Sequence, residues 1–145
     1  MSRGLGDVYK RQVPGFARVI TNCRDYTKLM QMLANGGIHN GEHILGRKTI
    51  DLIRTNTLTP TMIKEDFSND YLAGYGYGYG MRTLMNRYEG QHNGMLGQFG
   101  WTGGSGTWAE CDPETGLSIV YMHNLQPNLE QYHHLRMREV AYGCL

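Results

Sequence analysis

Phe99-Gly-Trp-Thr-Gly-Gly-Ser-Gly-Thr107, followed by Asp112-Pro-Glu-Thr-Gly116 and the apolar run 117–122, decides how this chain folds. Gly100, Gly103, Gly104 and Gly106 leave one short piece of backbone almost without side chains. Such stripping belongs where another segment or a ligand must approach the main chain closely. Asp112 suits the first position of a type I turn, and Pro113 presets the second. Gly116 can take the positive φ that lets the chain return. The spacing predicts a β-hairpin whose first strand begins beside something that needs bare backbone.

Upstream, Asn22 can cap a helix, with Asp25 placed to reach back to its backbone amide. Tyr26, Leu29, Met30 and Leu33 recur at i, i+3, i+4 and i+7, which makes one apolar helical face. Asn35-Gly36-Gly37 ends that helix with glycine available for the left-handed cap. Residues 39–46 form a short loop or hairpin-like passage that carries Ile44 and Leu45 inward. A shorter helix over 47–55 buries Ile50 and Ile53, and the polar stretch 55–70 reads as a loop.

Leu72-Ala-Gly-Tyr-Gly-Tyr-Gly-Tyr-Gly-Met81 alternates strictly, so a strand here would put every tyrosine on one face and every glycine on the other. Three repeats are too few for an array, so we take the stretch as a sheet strand rather than a low-complexity adhesive segment. Residues 82–95 supply a turn region around Glu89-Gly90. A last helix runs over 127–142, with Pro127 in its first turn and Leu129, Tyr132, Leu135 and Val140 as its apolar face. His133 and His134 on this helix are expected at the surface. Arg136 and Arg138, with Glu130 and Glu139, should form a solvated face. Helices first, then an antiparallel meander, then a covering helix make the fold class α+β.

At 145 residues with 40% hydrophobic content, one domain with a real core is expected. Twenty glycines are roughly twice the usual share of about 7%, which favours a β-containing chain over a helical bundle. A formal charge of +1 lacks the basic excess of a nucleic-acid binder. Cys23, Cys111 and Cys144 are too few and too scattered for a disulfide scaffold or a zinc site. No apolar run is long enough for a membrane span, and residues 1–12 lack the apolar core of a secretory signal. Asp7-Val-Tyr-Lys-Arg-Gln12 is what one reading frame of a transposon end used in sequencing libraries encodes. Residues 1–12 are therefore taken as an adapter scar and 13–145 as the protein proper, with a preceding portion expected to be missing. Compartment is left open.

Gly-Trp-Thr-Gly-Gly-x-Gly-Thr, a short strand, Asp-Pro-Glu-x-Gly-Leu and an apolar strand ending at Asn124 resemble the last motif region of the β-lactamase-related serine hydrolases. That superfamily includes class C-like β-lactamases, DD-peptidases (penicillin-binding proteins) and esterases. Thr21-Asn-Cys-Arg-Asp-Tyr26, Leu29-Met-Gln-Met-Leu33, Asn35-Gly-Gly37, Asn40-Gly41 and Ile44-Leu45 are similar, in order and spacing, to an upstream stretch of the same family. Together the resemblance covers roughly residues 15–143. It implies the C-terminal part of the β-lactamase/transpeptidase-like fold, an antiparallel sheet covered by helices. The tyrosine–glycine stretch would be one of its strands.

The resemblance also implies acyl transfer through a serine ester, from a Ser-x-x-Lys pair assisted by a Tyr-x-Asn tyrosine. Neither motif occurs here: Leu5, Tyr71, Trp108 and Tyr121 stand three residues after Ser2, Ser68, Ser105 and Ser118, and no tyrosine has asparagine two positions on. In the family those motifs precede the matched region, so this chain alone is expected to be inactive. Trp101-Thr102-Gly103 stands where many relatives carry Lys-Thr-Gly or His-x-Gly and esterase-like members carry Trp-x-Gly. Carried over, Trp101, Thr102 and Gly103 would contact substrate and the Gly104 N–H would be one oxyanion donor. Tryptophan in place of lysine disfavours an anionic β-lactam carboxylate and leans toward ester or peptide substrates. Trp108 is expected to be a plain sheet aromatic.

Other constellations are weaker. Gly103-Gly-Ser-Gly-Thr107 nearly spells a nucleophile elbow, but an elbow needs strand then helix, and a strand follows. His39 and His43 have helical metal-ligand spacing, yet Asn40-Gly41 between them signals a turn. No cofactor and no metal is expected. The expected partner is a small ester, amide or peptide substrate of the parent, with neither nucleic acid nor a membrane span. An orphaned half-domain should also self-associate. A non-catalytic module that holds a peptide or glycan on the tyrosine row and Gly-rich edge is the alternative. A metal-dependent hydrolase built on the histidines is a further rival.

Overall fold

The computed structural model describes residues 20–145; the expected scar at 1–12 lies outside them. Helix α1 (Cys23–Ala34) opens the described chain, capped by the Asn22 side chain accepting from the Asp25 N–H. The Asp25 carboxylate accepts from the Asn22 side-chain amide rather than its backbone amide. Next come a two-stranded hairpin, β1 (Ile38–His39) and β2 (Glu42–His43), and helix α2 (Arg47–Ile53). Asn40 and Gly41 both take positive φ in the hairpin turn, so His39 and His43 lie on facing strands.

Helix α3 (Pro60–Asp66) occupies the stretch expected to be a loop. The Thr59 hydroxyl caps it and Pro60 fills its first position, the start signal that the polar composition concealed. A five-stranded antiparallel meander follows in sequence order: β3 (Tyr75–Tyr77), β4 (Arg82–Leu84), β5 (Phe99–Thr102), β6 (Trp108–Asp112) and β7 (Leu117–Tyr121). A short helix, α4 (Arg87–Gly90), lies between β4 and β5, and α5 (Glu130–Gly143) closes the chain. The β6–β7 hairpin is the one predicted: the Gly116 N–H donates to the Asp112 carbonyl, and Gly116 sits at φ +73°. The bare backbone at Gly100 is also explained. A Cβ there would collide with the Ala109 carbonyl of the neighbouring strand.

One sheet face is apolar. Phe99, Ala109 and Cys111 meet Met30, Met32, Leu33 and Ala34 of α1 and Ile50 of α2, with Tyr26, Leu45, Ile53 and Val120 at the margin. Burying each large side chain there contributes roughly 1.5–3 kcal/mol. The face of α1 is rotated from the expected one: Leu29 is exposed, and Met32 and Ala34 are buried instead; after the hairpin, Ile44, expected inward, is exposed as well. The tyrosine–glycine stretch is a strand only over Tyr75–Tyr77, because Gly74 and Gly80 take positive φ at its two ends. Gly76 and Gly78 do admit a close neighbour, the Asn56 side chain and the Ile53 carbonyl. Tyr75 is buried and Tyr79 is exposed, so no continuous tyrosine row forms.

The other sheet face is polar and overturns the expected face of the last helix. Leu129, Tyr132 and Val140 are exposed, whereas His134 and Arg138 are fully buried. The cause is what lies beneath. Glu110 of β6, 2% exposed, receives Arg138 in a two-pronged pair at 2.9 Å through both Nε and Nη2. Arg82 of β4 lies 3.9 Å from the same carboxylate and stacks on the Tyr71 and Tyr75 rings. A helix over such a floor must turn charge inward, since a lone buried charge is far costlier than a paired one.

His134 stacks on Trp108, with ring centroids 5.4 Å apart. Its Nε2 lies 2.8 Å from the Gly106 carbonyl and its Nδ1 2.7 Å from the Tyr71 hydroxyl. The Tyr142 hydroxyl donates to Gln98 at 2.6 Å and to Asp112 at 3.0 Å. Among the described residues no helix is long and apolar enough to cross a membrane, and all three cysteines are free thiols.

Two outcomes follow from this polar layer. Glu110→Leu strands two guanidiniums and is expected to cost about 3–5 kcal/mol, read as a fall in the urea midpoint. Arg138→Leu leaves Glu110 facing Arg82 and costs less; equal losses would show that Arg82 takes no part.

The pH dependence has a definite sign. Burial, with Arg138 and Arg82 nearby, pushes His92 and His134 down to about 4 from the usual 6.5. Between those values the unfolded chain binds protons that the folded chain refuses, so stability falls as pH drops from about 6.5 to about 4. Burial opposes ionisation of Glu110, but Arg138 and then Arg82 outweigh it and hold its carboxyl below the ordinary 4.5. The decline therefore continues below that point. A thermal midpoint that stays flat between pH 6.5 and 5 would contradict it.

Candidate functional site

Strand β5 ends in Trp101 and Thr102, the first two of the four residues singled out by sequence, and Gly103 and Gly104 follow in the turn. Phe99 anchors the strand in the core, and Trp101, two positions on, is 40% exposed. Its ring meets Tyr77 edge to face, centroids 5.0 Å apart. Thr102 is half-buried, and its hydroxyl donates to the Glu130 carboxylate at the start of α5, at 3.4 Å. Trp108 is a buried sheet aromatic, as expected.

Residues 103–106 form the turn from β5 to β6. The Gly103 N–H donates to the Thr107 carbonyl at 2.7 Å, and the Gly106 N–H to the Gly103 carbonyl at 2.9 Å. Gly106 requires its missing side chain: it sits at φ +89°, and a Cβ would run into the His123 ring. Gly104 is exposed with open space where a Cβ would be, and its N–H has no partner among the described residues. The carbonyls of the turn are all engaged. Gly104 accepts from Gln126 Nε2 at 2.7 Å, Ser105 from the Leu125 N–H at 3.1 Å, and Gly106 from His134 at 2.8 Å.

Chemically, this is an exposed strand end with a free backbone donor, a flanking indole and a hydroxyl. Ser105 lies in strand–turn–strand geometry, which denies it the strand-to-helix bend of a nucleophile elbow. Trp101, Thr102, Gly103 and Gly104 are brought together at one place. Their supports, Gln126, His134, Tyr71 and Arg82, were missed by sequence reasoning, and only the i, i+4, i+8 spacing of His134, Arg138 and Tyr142 hinted at them.

Comparison with known proteins identifies the family of this fold. A family model described as Beta-lactamase matches residues 2–142. Two curated Mycobacterium tuberculosis proteins, uncharacterized protein MT1414 and protein Rv1367c, are each 28% identical over 109 residues. That alignment takes 72% of this chain and 27% of theirs. Among solved structures, EstCE1, a hydrolase with promiscuous acyltransferase activity, superposes with a TM-score of 0.67 at 22% identity. It covers 84% of this chain and 30% of that one. A penicillin-binding protein homolog from Caulobacter crescentus gives 0.66 at 26% identity, covering 82% and 30%. Simvastatin synthase (LovD) from Aspergillus terreus gives 0.61 at 20%, covering 82% and 33%. The chain thus spans about a third or less of the length of the relatives it matches. It belongs to the beta-lactamase family, and its α+β architecture is that of the β-lactamase/transpeptidase-like fold.

Proposed function

We propose that this chain is the C-terminal part of a serine hydrolase whose parent cleaves ester or amide bonds through an acyl-serine. In that role the Gly104 N–H is one oxyanion donor, and Trp101, Thr102 and Gly103 line the substrate side of the pocket. The observation that carries this reading is the Gly104 amide itself, a backbone donor with no partner among the described residues, in an exposed turn just beyond β5. Such donors stabilise the developing oxyanion of acyl transfer, and removing one costs about 3–4 kcal/mol.

The short span relative to its relatives and the lack of both Ser-x-x-Lys and Tyr-x-Asn support assigning the nucleophile and its base to a preceding portion. The exposed indole at Trp101 supports ester or peptide substrates over an anionic β-lactam. A binding module that uses a tyrosine row is disfavoured, since Tyr75 is buried. Exposed Leu129, just before α5, and Tyr132, Met137 and Val140 on it favour self-association of the isolated piece. Sedimentation of the chain should show species larger than 16.5 kDa.

Two assays test the catalytic assignment. The isolated chain should not hydrolyse a nitrophenyl ester or a chromogenic cephalosporin above buffer. Turnover abolished by Ser105→Ala would overturn the assignment. In the full-length enzyme carrying this segment, Gly104→Pro removes the N–H and should lower kcat by about 10²–10³.

A further inference from the structure

Three of the four carbonyls of the 103–106 turn, those of Gly104, Ser105 and Gly106, are held by a single stretch of chain, residues 125–134. A trans peptide points the N–H of one residue opposite to the C=O of the residue before it. The Gly103 carbonyl points into the turn to meet the Gly106 N–H, so the Gly104 N–H points out of it. The Gly104 carbonyl points to Gln126, so the Ser105 N–H faces away from that strap. We infer that Gln126 and His134 are positioning residues for these two N–H groups: Gln126 grips the carbonyl behind the Ser105 N–H, and His134 grips Gly106, whose own N–H holds the carbonyl behind the Gly104 N–H.

The grip has a defined polarity. The Gly106 carbonyl can only accept, so His134 carries its proton on Nε2, and Nδ1 accepts from the Tyr71 hydroxyl. The Tyr71 oxygen in turn accepts from Arg82 Nη2 at 3.1 Å. Donation therefore runs one way, from Arg82 to Tyr71 to His134 to the turn. His134 cannot swing aside. It is fully buried against the Trp108 ring, and Tyr71 and Arg82 are buried with it. An oxyanion donor must lie about 2.7–3.1 Å from the developing charge, so a loosened turn would miss its target.

The functional consequence rests on the proposed oxyanion role of Gly104; the positioning itself does not, and it is tested first. His134→Phe keeps the stack on Trp108 and deletes the Nε2 donor, whereas His134→Gln restores an N–H donor near the same place. Amide hydrogen exchange is read by mass spectrometry on peptides covering 103–107 and, as reference, 117–121. His134→Phe should speed exchange in the turn at least tenfold relative to the reference, and His134→Gln should bring it back to within about threefold. Gln126→Ala, at an exposed position that folding tolerates, should speed the turn selectively by about threefold. Equal acceleration of both peptides, or an unchanged turn in the Phe and Ala variants, overturns the inference. If His134→Phe fails to fold, the Gln126→Ala arm decides.

In the full-length enzyme, His134→Phe should lower kcat at least tenfold with KM nearly unchanged, and His134→Gln should recover most of it. A selectively loosened turn with kcat unaffected would leave the positioning intact and remove Gly104 from the proposed chemistry.

Discussion

The Glu110 carboxylate, buried between Arg138 and Arg82, is the constraint from which the arrangement of the last helix follows. Two residues along a strand advance about 6.8 Å. Four residues along an α-helix advance about 6 Å. Because these steps nearly match, fixing one contact between β6 and α5 fixes its neighbours on either side. Arg138 over Glu110 brings His134 over Trp108 and Tyr142 to Asp112, and all three rungs are present. A one-residue slip of the helix would turn His134 and Arg138 out of the layer together and leave Glu110 without a bidentate partner. The ion pair thus sets register more than it adds stability, the best-attested use of buried charge.

This division of the sheet also explains what the sequence disclosed and what it hid. The β6–β7 hairpin was readable because its signals are local: a turn-forming Asp112, a Pro113 and a Gly116 that takes positive φ. The capped start of α1 was readable for the same reason. The face of α5 was not. Apolar periodicity presumes an apolar partner, and this helix rests on Glu110, Tyr75 and Trp108, so its inward residues look like surface residues in isolation. The tyrosine strand misled in the opposite way, since alternation continues through Gly78 and Gly80 after the strand has already turned. At the candidate site, Trp101, Thr102, Gly103 and Gly104 were singled out through family resemblance alone. Their supports were not, because His134 meets Gly106 across 28 residues of sequence.

The two sheet faces make different demands on the same strand. On β6, Ala109 and Cys111 close the apolar core beneath α1, while Trp108, Glu110 and Asp112 carry the polar ladder beneath α5. All five residues are buried, which leaves β6 no solvent-facing position. Strand β5 beside it adjusts by omission: Gly100 has no side chain, and the Ala109 carbonyl fills the place of its Cβ. The rigidity of β6 is therefore transmitted to β5 through backbone contact, and β5 delivers Trp101 and Thr102 to the exposed end of the sheet.

That delivery leaves the proposed donors of the turn more firmly held than the proposed substrate contact. The turn is held at three consecutive carbonyl acceptors by donors from the following segment, and one grip, that of His134, is backed by a buried relay that begins at Arg82. Among the described residues the Thr102 hydroxyl has a single partner at 3.4 Å, the Glu130 carboxylate, which also accepts from Asn128. A bond of that length to a half-buried carboxylate is weak, and the exchange for a substrate oxygen or amide costs little. A preorganised backbone donor beside an adaptable hydroxyl is the combination that differential binding favours. In the proposed role, the fixed group would meet charge that develops only in the transition state, and the movable one would accommodate the acyl group presented.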